Sequence, residues 1–145
     1  MLFKAFLSAS LLALGVNAAA VATGKSFKFQ VLDPVHGKVF LADATGKSTA
    51  DESKALVCEL NADVLTCGGK GFPAFSGDMT KLATITGSPS KGWSIDANDN
   101  IVWNAQSNIK FSIGISGGTD VWAETCPHHW TEKQHGTAKA VYVTA

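Results

Sequence analysis

The densest group of chemically active side chains in this sequence lies in residues 124–135. One cysteine, three histidines and two glutamates fall within these twelve residues. Imidazole and thiolate groups together suit a transition metal such as zinc or copper. The spacing nevertheless matches no defined zinc motif, so the sequence predicts an irregular loop and no resident metal or cofactor. The weak metal-ligand candidates are Cys126, His128, His129 and His135.

The sequence offers residues for two kinds of catalysis. Cys126 lies two residues from His128, and a cysteine nucleophile needs a neighbouring imidazole, although Pro127 is expected to place a turn between them. Glycoside hydrolysis needs two carboxylic acids at a defined separation. Four acids lie in or beside predicted strands: Asp96, Asp99, Asp120 and Glu124. We interpret them as surface and turn residues. No catalytic residue is therefore assigned, and no enzymatic activity is expected.

The four tryptophans all lie in the C-terminal half of the chain. Two or three of them are expected to fill the core, because a tryptophan buries a large apolar area. Trp122 differs, since strand alternation places it on the same face as Asp120 and Glu124, opposite Val121 and Ala123. An outward aromatic ring between two acids suits the stacking of a sugar ring, with cover by a loop as the alternative. The candidate carbohydrate contacts are Trp103, Trp122, Trp130, Asp120 and Glu124.

Cysteine spacing suggests one disulfide. Residues 55–67 (ALVCELNADVLTC) read as a hairpin with its turn at residues 61–63, which places Cys58 opposite Cys67. A Cys58–Cys67 disulfide is therefore predicted. Pairing of Cys126 with either of them remains the alternative, because three cysteines leave one over.

The elements that must position these residues are short strands. Apolar residues alternate with polar ones around Phe29, Ile113 and Val121, and period-two alternation is typical of strands with one buried face. Turn-forming residues separate these stretches, and helix is scarce apart from one turn expected at residues 51–56. The pattern predicts a single compact all-β domain, a sandwich or barrel, with a β-trefoil as the third option. Further strands are predicted at residues 38–42, 82–86, 93–96, 101–104 and 139–144.

No internal repeat is convincing in the sequence, but one device occurs twice. Residues 63–65 and residues 99–101 both have the form of a turn followed by a strand.

The N-terminal residues predict the compartment. Lys4 precedes an apolar stretch at residues 5–16, and small residues follow at 17–20. A run of about 12 apolar residues is too short to span a bilayer, and the pattern is typical of a secretory signal peptide. We therefore expect a signal peptide at residues 1–19 and one secreted domain at residues 20–145, without a membrane partner.

Charge composition excludes one class of partner. Acidic and basic residues number 12 each, and every basic side chain is a lysine. A nucleic-acid-binding protein normally carries a basic stripe with arginines, so no nucleic-acid partner is expected.

Residues 92–96 (GWSID), followed by Asn98, Asn100 and Ile101, form a distinctive segment of this chain. They resemble the most specific segment of the fungal phialide cell-wall protein family (PhiA-like). Residues 120–124 (DVWAE) resemble its "SIWAD" strand, residues 135–143 its final strand, and residues 56–65 its strand, acidic turn and strand.

The resemblance implies a secreted fungal protein of the cell wall, in some members needed for phialide and conidial development, with no catalytic residues to transfer. The expected function is therefore non-enzymatic association with wall polysaccharide or wall proteins. Two alternatives stay open: a secreted effector acting on a host or competitor, and a small metal-dependent hydrolase using residues 124–135. The sequence leaves the oligomeric state open.

Overall fold

The protein is all-β, as the sequence predicted. The structure is a computed structural model that describes residues 25–75, 79–105, 109–114, 118–125 and 136–144. The predicted signal peptide at residues 1–19 lies outside these residues. In chain order the strands are β1 (Ser26–Asp33), β2 (Gly37–Leu41), β3 (Ser48–Thr49), β4 (Val57–Asn61), β5 (Val64–Cys67), β6 (Lys70–Gly71), β7 (Thr80–Lys81), β8 (Trp93–Ile95), β9 (Ile101–Trp103), β10 (Lys110–Ile113), β11 (Val121–Glu124) and β12 (Thr137–Tyr142).

Six of these strands follow one another in a closed ring. β1 lies between β12 and β4, and β4 pairs with β5, within an antiparallel sheet that curls into a half-barrel. The hairpin of β8 and β9 completes the ring. The N–H of Trp93 donates to the carbonyl of Asp63 at 3.0 Å, which joins β8 to β5, and Asn100 forms a bridge with Lys139, which joins β9 to β12. The order β1–β4–β5–β8–β9–β12 is that of a β-trefoil, the third architecture that the sequence left open.

The remaining strands form hairpin arms beside the ring. β2 pairs with β1 and β3, β6 pairs with β5, and β10 pairs with β11, which also pairs with β7. In chain order the twelve strands divide into three sets of four, β1–β4, β5–β8 and β9–β12, and each set contributes its first and last strands to the ring. We call each set a unit.

Aromatic side chains fill the centre of this arrangement. Phe29 packs edge-on against Phe111 with 5.3 Å between ring centroids, which ties β1 to β10. Phe75 contacts Trp93 at 5.6 Å and Trp103 at 5.1 Å, again with edge-to-face geometry. All five rings are buried. Such pairs contribute about 0.5–1.5 kcal/mol beyond their burial, so the aromatic residues help to hold the units together.

The predicted disulfide is confirmed. Cys58 and Cys67 are direct cross-strand partners in β4 and β5, with their sulfurs bonded and their Cα atoms 4.0 Å apart. The turn between the strands contains Ala62 at a φ of 56°. Both cysteines are fully buried, so the disulfide closes the hairpin from within the core.

Two predicted elements differ in detail. The strand predicted at residues 82–86 is wrong, because the strand in this region is β7, just before it. Residues 82–85 turn from one partner to another: the N–H groups of Leu82, Thr84 and Ile85 donate to three different parts of the chain. The helical turn expected at residues 51–56 is a 3₁₀ turn at Glu52–Lys54, capped by the Asp51 side chain.

Candidate functional site

Three distant parts of the chain meet at Val121 in strand β11. The N–H of Val121 donates to the carbonyl of Gly46 at 2.7 Å, and its carbonyl accepts from the N–H of Leu82 at 2.8 Å. Gly46 has a φ of +95°, and a Cβ there would lie 3.0 Å from the Cγ of Lys81. Only glycine combines this backbone conformation with so close an approach. We call this meeting of three segments the backbone crossing at Val121. Its hydrogen bonds fix the positions of the side chains on either side of Val121.

Asp120 is held between two lysines from the crossing segments. Its carboxylate lies 3.1 Å from the ammonium of Lys47 and 3.5 Å from that of Lys81. Hydrogen bonding to Lys47, assisted by attraction to both lysines, holds the pKa of Asp120 below its usual value against a smaller opposing effect of desolvation. The lysine side chains are about half exposed, at 52% and 42%, whereas Asp120 is 17% exposed. The result is an ordered polar cluster that remains accessible to solvent.

Trp122 lies next to this cluster. Its register neighbours are Ser112 on β10 and Lys81 on β7, so strands support it on both sides. The residue is half-buried, and part of its surface reaches solvent. Its indole N–H is buried without a hydrogen-bond partner among the described residues. Polar contacts at this surface must therefore come from Asp120, Lys47 and Lys81, while Trp122 contributes apolar surface. We call these four residues the Trp122 surface.

Glu124 does not belong to the exposed part of this face. Strand alternation places it on the same side as Trp122, but the side chain is fully buried, and neither carboxylate oxygen has a hydrogen-bond partner in the described part of the chain. The expectation that it flanks an exposed tryptophan is therefore wrong. Alternation identifies the face of the strand but not what covers it.

The other aromatic candidates differ from Trp122. Trp103 is a core residue, 7% exposed and packed against Phe75, so it presents no surface to a polymer. Its ring is enclosed because β9 pairs with β8, where Trp93 is its register partner. Trp130 lies outside the described residues.

Metal-binding chemistry finds no geometric support in the described ranges. No group of three or more histidine, cysteine or acidic side chains comes together there in a way that could hold a metal ion. The weak candidates Cys126, His128, His129 and His135 lie outside those ranges. The described histidine, His36, uses Nδ1 to contact the buried carboxylate of Asp33 at 2.8 Å.

Two of the four acids considered for hydrolysis, Asp96 and Asp99, serve the turn between β8 and β9. Asp96 accepts hydrogen bonds from the backbone N–H groups of Asn98 and Asn100, both at 2.9 Å, and from the Asn100 side-chain amide at 3.0 Å. Asp99 occupies the left-handed position of the turn, with a φ of 65°. Both residues therefore shape the loop, as the sequence predicted for Asp99.

A serine motif also occurs in the sequence between β10 and β11. Residues 114–118 (GISGG) have the Gly-x-Ser-x-Gly form of a nucleophile elbow. Residues 115–117, which include its serine, lie outside the described residues.

Sequence reasoning missed Lys47 and Lys81, the two cationic members of the Trp122 surface. They lie 75 and 41 residues before Trp122, and no local pattern connects them to it. Only the backbone crossing at Val121 brings them together.

Comparison with known proteins gives no further identification: no family model, no curated protein and no solved structure matches this chain.

Two features of the structure bear on the cellular compartment. The Cys58–Cys67 disulfide is of the kind that persists in oxidising environments. Within the described residues, no helix has the length and apolar character needed to cross a membrane.

Proposed function

We propose that this protein is a secreted, non-enzymatic component of a fungal cell wall that binds wall polysaccharide through the Trp122 surface. The observation that carries the proposal is the half-buried tryptophan, part of whose surface reaches solvent, beside an ordered carboxylate–lysine cluster. The resemblance of residues 92–96 and 120–124 to the phialide cell-wall protein family supports the location in the wall and a role in conidial development. The disulfide and the predicted signal peptide support secretion.

The chemistry of the Trp122 surface suits a sugar. A pyranose ring presents C–H groups on its faces and hydroxyl groups around its edge. Ligand sites commonly combine apolar and aromatic surface with a few placed polar groups. Trp122 offers the apolar surface, Asp120 accepts hydrogen bonds, and Lys47 and Lys81 donate them. Because the lysines come from separate crossing segments, the cluster needs little reordering when a ligand arrives.

The test is retention of the purified mature protein on insoluble β-glucan, chitin and mannan. We expect retention on at least one polymer and release by its soluble oligosaccharide. Replacing Trp122 with alanine should remove most of the retention, and Trp122→Phe should preserve much of it because an aromatic ring remains. Val35→Ser provides a surface control, since Val35 is 67% exposed in the turn between β1 and β2. Unchanged retention of a folded Trp122→Ala variant, or no retention of the wild type on any polymer, would overturn the proposal.

A further inference from the structure

A second feature with the character of a binding site lies on another part of the molecule. A half-open cavity of about 100 Å³ lies where the turn between β8 and β9 meets the start of β12. Its lining residues are Asp96, Asn100, Ile101, Val102, Ile109, Thr137 and Ala138. None of them belongs to the Trp122 surface.

The cavity has a local cause in the sequence of β12. The inward-facing residues of this strand are Ala138 and Ala140, both buried. The corresponding strand of the preceding unit, β8, carries Trp93 and Ile95 at its buried positions. A strand with only methyl groups on its inner face fills less volume, and the space beside Ala138 stays open.

The polar wall of the cavity is held firmly. Asp96 receives two backbone hydrogen bonds and a third from the side-chain amide nitrogen of Asn100. Burial alone would raise the pKa of Asp96, but these hydrogen bonds outweigh it and hold the pKa below its usual value. The carboxylate is thus anionic at neutral pH, which disfavours an anionic occupant.

Two polar groups in the lining remain available. The amide nitrogen of Asn100 is bonded to Asp96, so the amide oxygen is fixed on the other side and accepts no hydrogen bond from the described residues. Thr137 is an exposed residue whose hydroxyl makes no hydrogen bond within the described part of the chain. The cavity therefore offers one oriented acceptor and one hydroxyl that can donate. Ile101, Val102, Ile109 and Ala138 provide apolar walls.

Size limits the occupant to a small group. A cavity of about 150 Å³ accommodates benzene, which has six heavy atoms. A cavity of about 100 Å³ therefore suits a group of roughly four heavy atoms by proportion. The group must not be anionic, must carry one apolar end, and must both donate and accept a hydrogen bond.

We propose that this cavity receives the acetamido group of an N-acetylated amino sugar. The group has four heavy atoms: its methyl packs against the isoleucines, its N–H donates to the Asn100 amide oxygen, and its carbonyl accepts from Thr137. A deacetylated amino sugar lacks the methyl and the carbonyl that would contact the isoleucines and Thr137, and a plain glucose unit would leave the cavity unfilled. This inference rests on the proposed polysaccharide binding for its class of ligand, but it uses different residues.

The experiment is calorimetric titration with the trisaccharide of N-acetylglucosamine, its deacetylated counterpart and a β-glucan trisaccharide. We expect the acetylated trisaccharide to bind about tenfold more tightly than either of the others, since a site built around polar groups rejects analogues that leave them unpaired. Thr137→Val removes the hydroxyl with little change of shape and should reduce this preference severalfold. The matched control is Thr144→Val, at an exposed threonine beyond β12.

A cavity-filling variant separates a binding site from a packing defect. Ala138→Val adds two methyl groups inside the cavity and should abolish the preference for the acetylated sugar. If Ala138→Val raises the free energy of unfolding and leaves that preference unchanged, the cavity is only a packing defect and the inference is wrong. Equal affinity for acetylated and deacetylated trisaccharides would also overturn it.

The two proposals fail in different ways. Polymer retention that depends on Trp122, without any preference for acetylated sugars, would overturn the cavity assignment and leave the Trp122 surface intact. Binding of the acetylated trisaccharide that survives Trp122→Ala but is lost in Ala138→Val would support the cavity and contradict the Trp122 surface.

Discussion

Asp63 and Asp99 occupy the same structural position in two successive units of the fold. The carbonyl of Asp63 accepts a hydrogen bond from the N–H of Trp93 at 3.0 Å, and the carbonyl of Asp99 accepts one from the N–H of Ala140 at 2.9 Å. In both cases the aspartate ends a turn and its bond joins two neighbouring strands of the ring. The acidic turn is therefore a connecting device that the chain uses twice.

The turn that contains Asp99 should respond to acid through Asp96. The folded pKa of Asp96 lies below the unfolded value of about 3.8, so its contribution to stability is present above that pH and is lost as pH falls through the folded pKa. Asp96→Ala leaves the N–H groups of Asn98 and Asn100 without their acceptor. Loss of these bonds should lower the free energy of unfolding by about 1–3 kcal/mol at pH 6.

The measurement for Asp96 is denaturant unfolding of wild type and variant between pH 2.5 and 7. The difference between the two proteins should be largest above pH 4 and should shrink below it. Asp99→Asn is the matched control in the same turn, because asparagine also tolerates a positive φ and keeps the backbone hydrogen bond to Ala140. A difference that does not change across this pH range would contradict the assigned role of the Asp96 carboxylate.

Gly136 is required where β10 approaches β1 and β12. Its N–H and carbonyl exchange hydrogen bonds with Phe111 at 2.8 and 3.0 Å, and a Cβ at this position would overlap the carbonyl of Leu32. Because the obstacle is backbone, it cannot move aside cheaply. Gly136→Ala should lower the free energy of unfolding by about 2–4 kcal/mol. Gly87→Ala, where no atom lies within 4 Å of the added Cβ, should change it by less than about 0.5 kcal/mol. Equal effects at the two glycines in thermal unfolding would refute this account.

Local chemistry made part of this fold predictable. The turn residues at 61–63 and the cysteines on either side of them indicated both the hairpin and its disulfide, because direct cross-strand pairing depends only on the turn. Alternation likewise predicted the buried face of β1, whereas in β10 the polar Ser112 is buried together with Phe111 and Ile113. The closure of the ring was not predictable in this way. It depends on single backbone hydrogen bonds, such as that between Asp63 and Trp93, and such bonds leave no pattern in the sequence.

The candidate site was predicted only in part. Alternation correctly placed Trp122 and Asp120 outside the core, but it placed Glu124 there too, and that side chain is buried. Its burial depends on whatever lies over the strand, which period-two alternation does not report. Lys47 and Lys81 were missed because they join the site through a backbone crossing between segments far apart in sequence.

The disulfide should contribute measurably to stability. Cys58 and Cys67 are 9 residues apart, and closing a loop of about that length is worth roughly 2.5 kcal/mol in the chain-entropy model. The double replacement Cys58→Ala with Cys67→Ala should therefore lower the free energy of unfolding by about that amount, measured by denaturant unfolding. Cys126→Ala is the control for removing a cysteine outside this disulfide. Equal stability of the double variant and the wild type would contradict the prediction, as would a Cys58–Cys126 linkage in a peptide map of the unreduced protein.

Replacing Trp103 and replacing Trp122 with alanine should have clearly different effects on the free energy of unfolding. Trp103 is enclosed by Phe75 and its strand partner Trp93, so Trp103→Ala creates a large cavity and should cost about 3–5 kcal/mol of unfolding free energy. Trp122 is half-buried at the surface, so Trp122→Ala should cost about 1 kcal/mol and leave a folded protein for binding assays. Urea unfolding monitored by far-UV circular dichroism measures both. If Trp122→Ala proved as destabilising as Trp103→Ala, Trp122 would be a structural residue, and its loss of polymer binding could not be assigned to a missing contact.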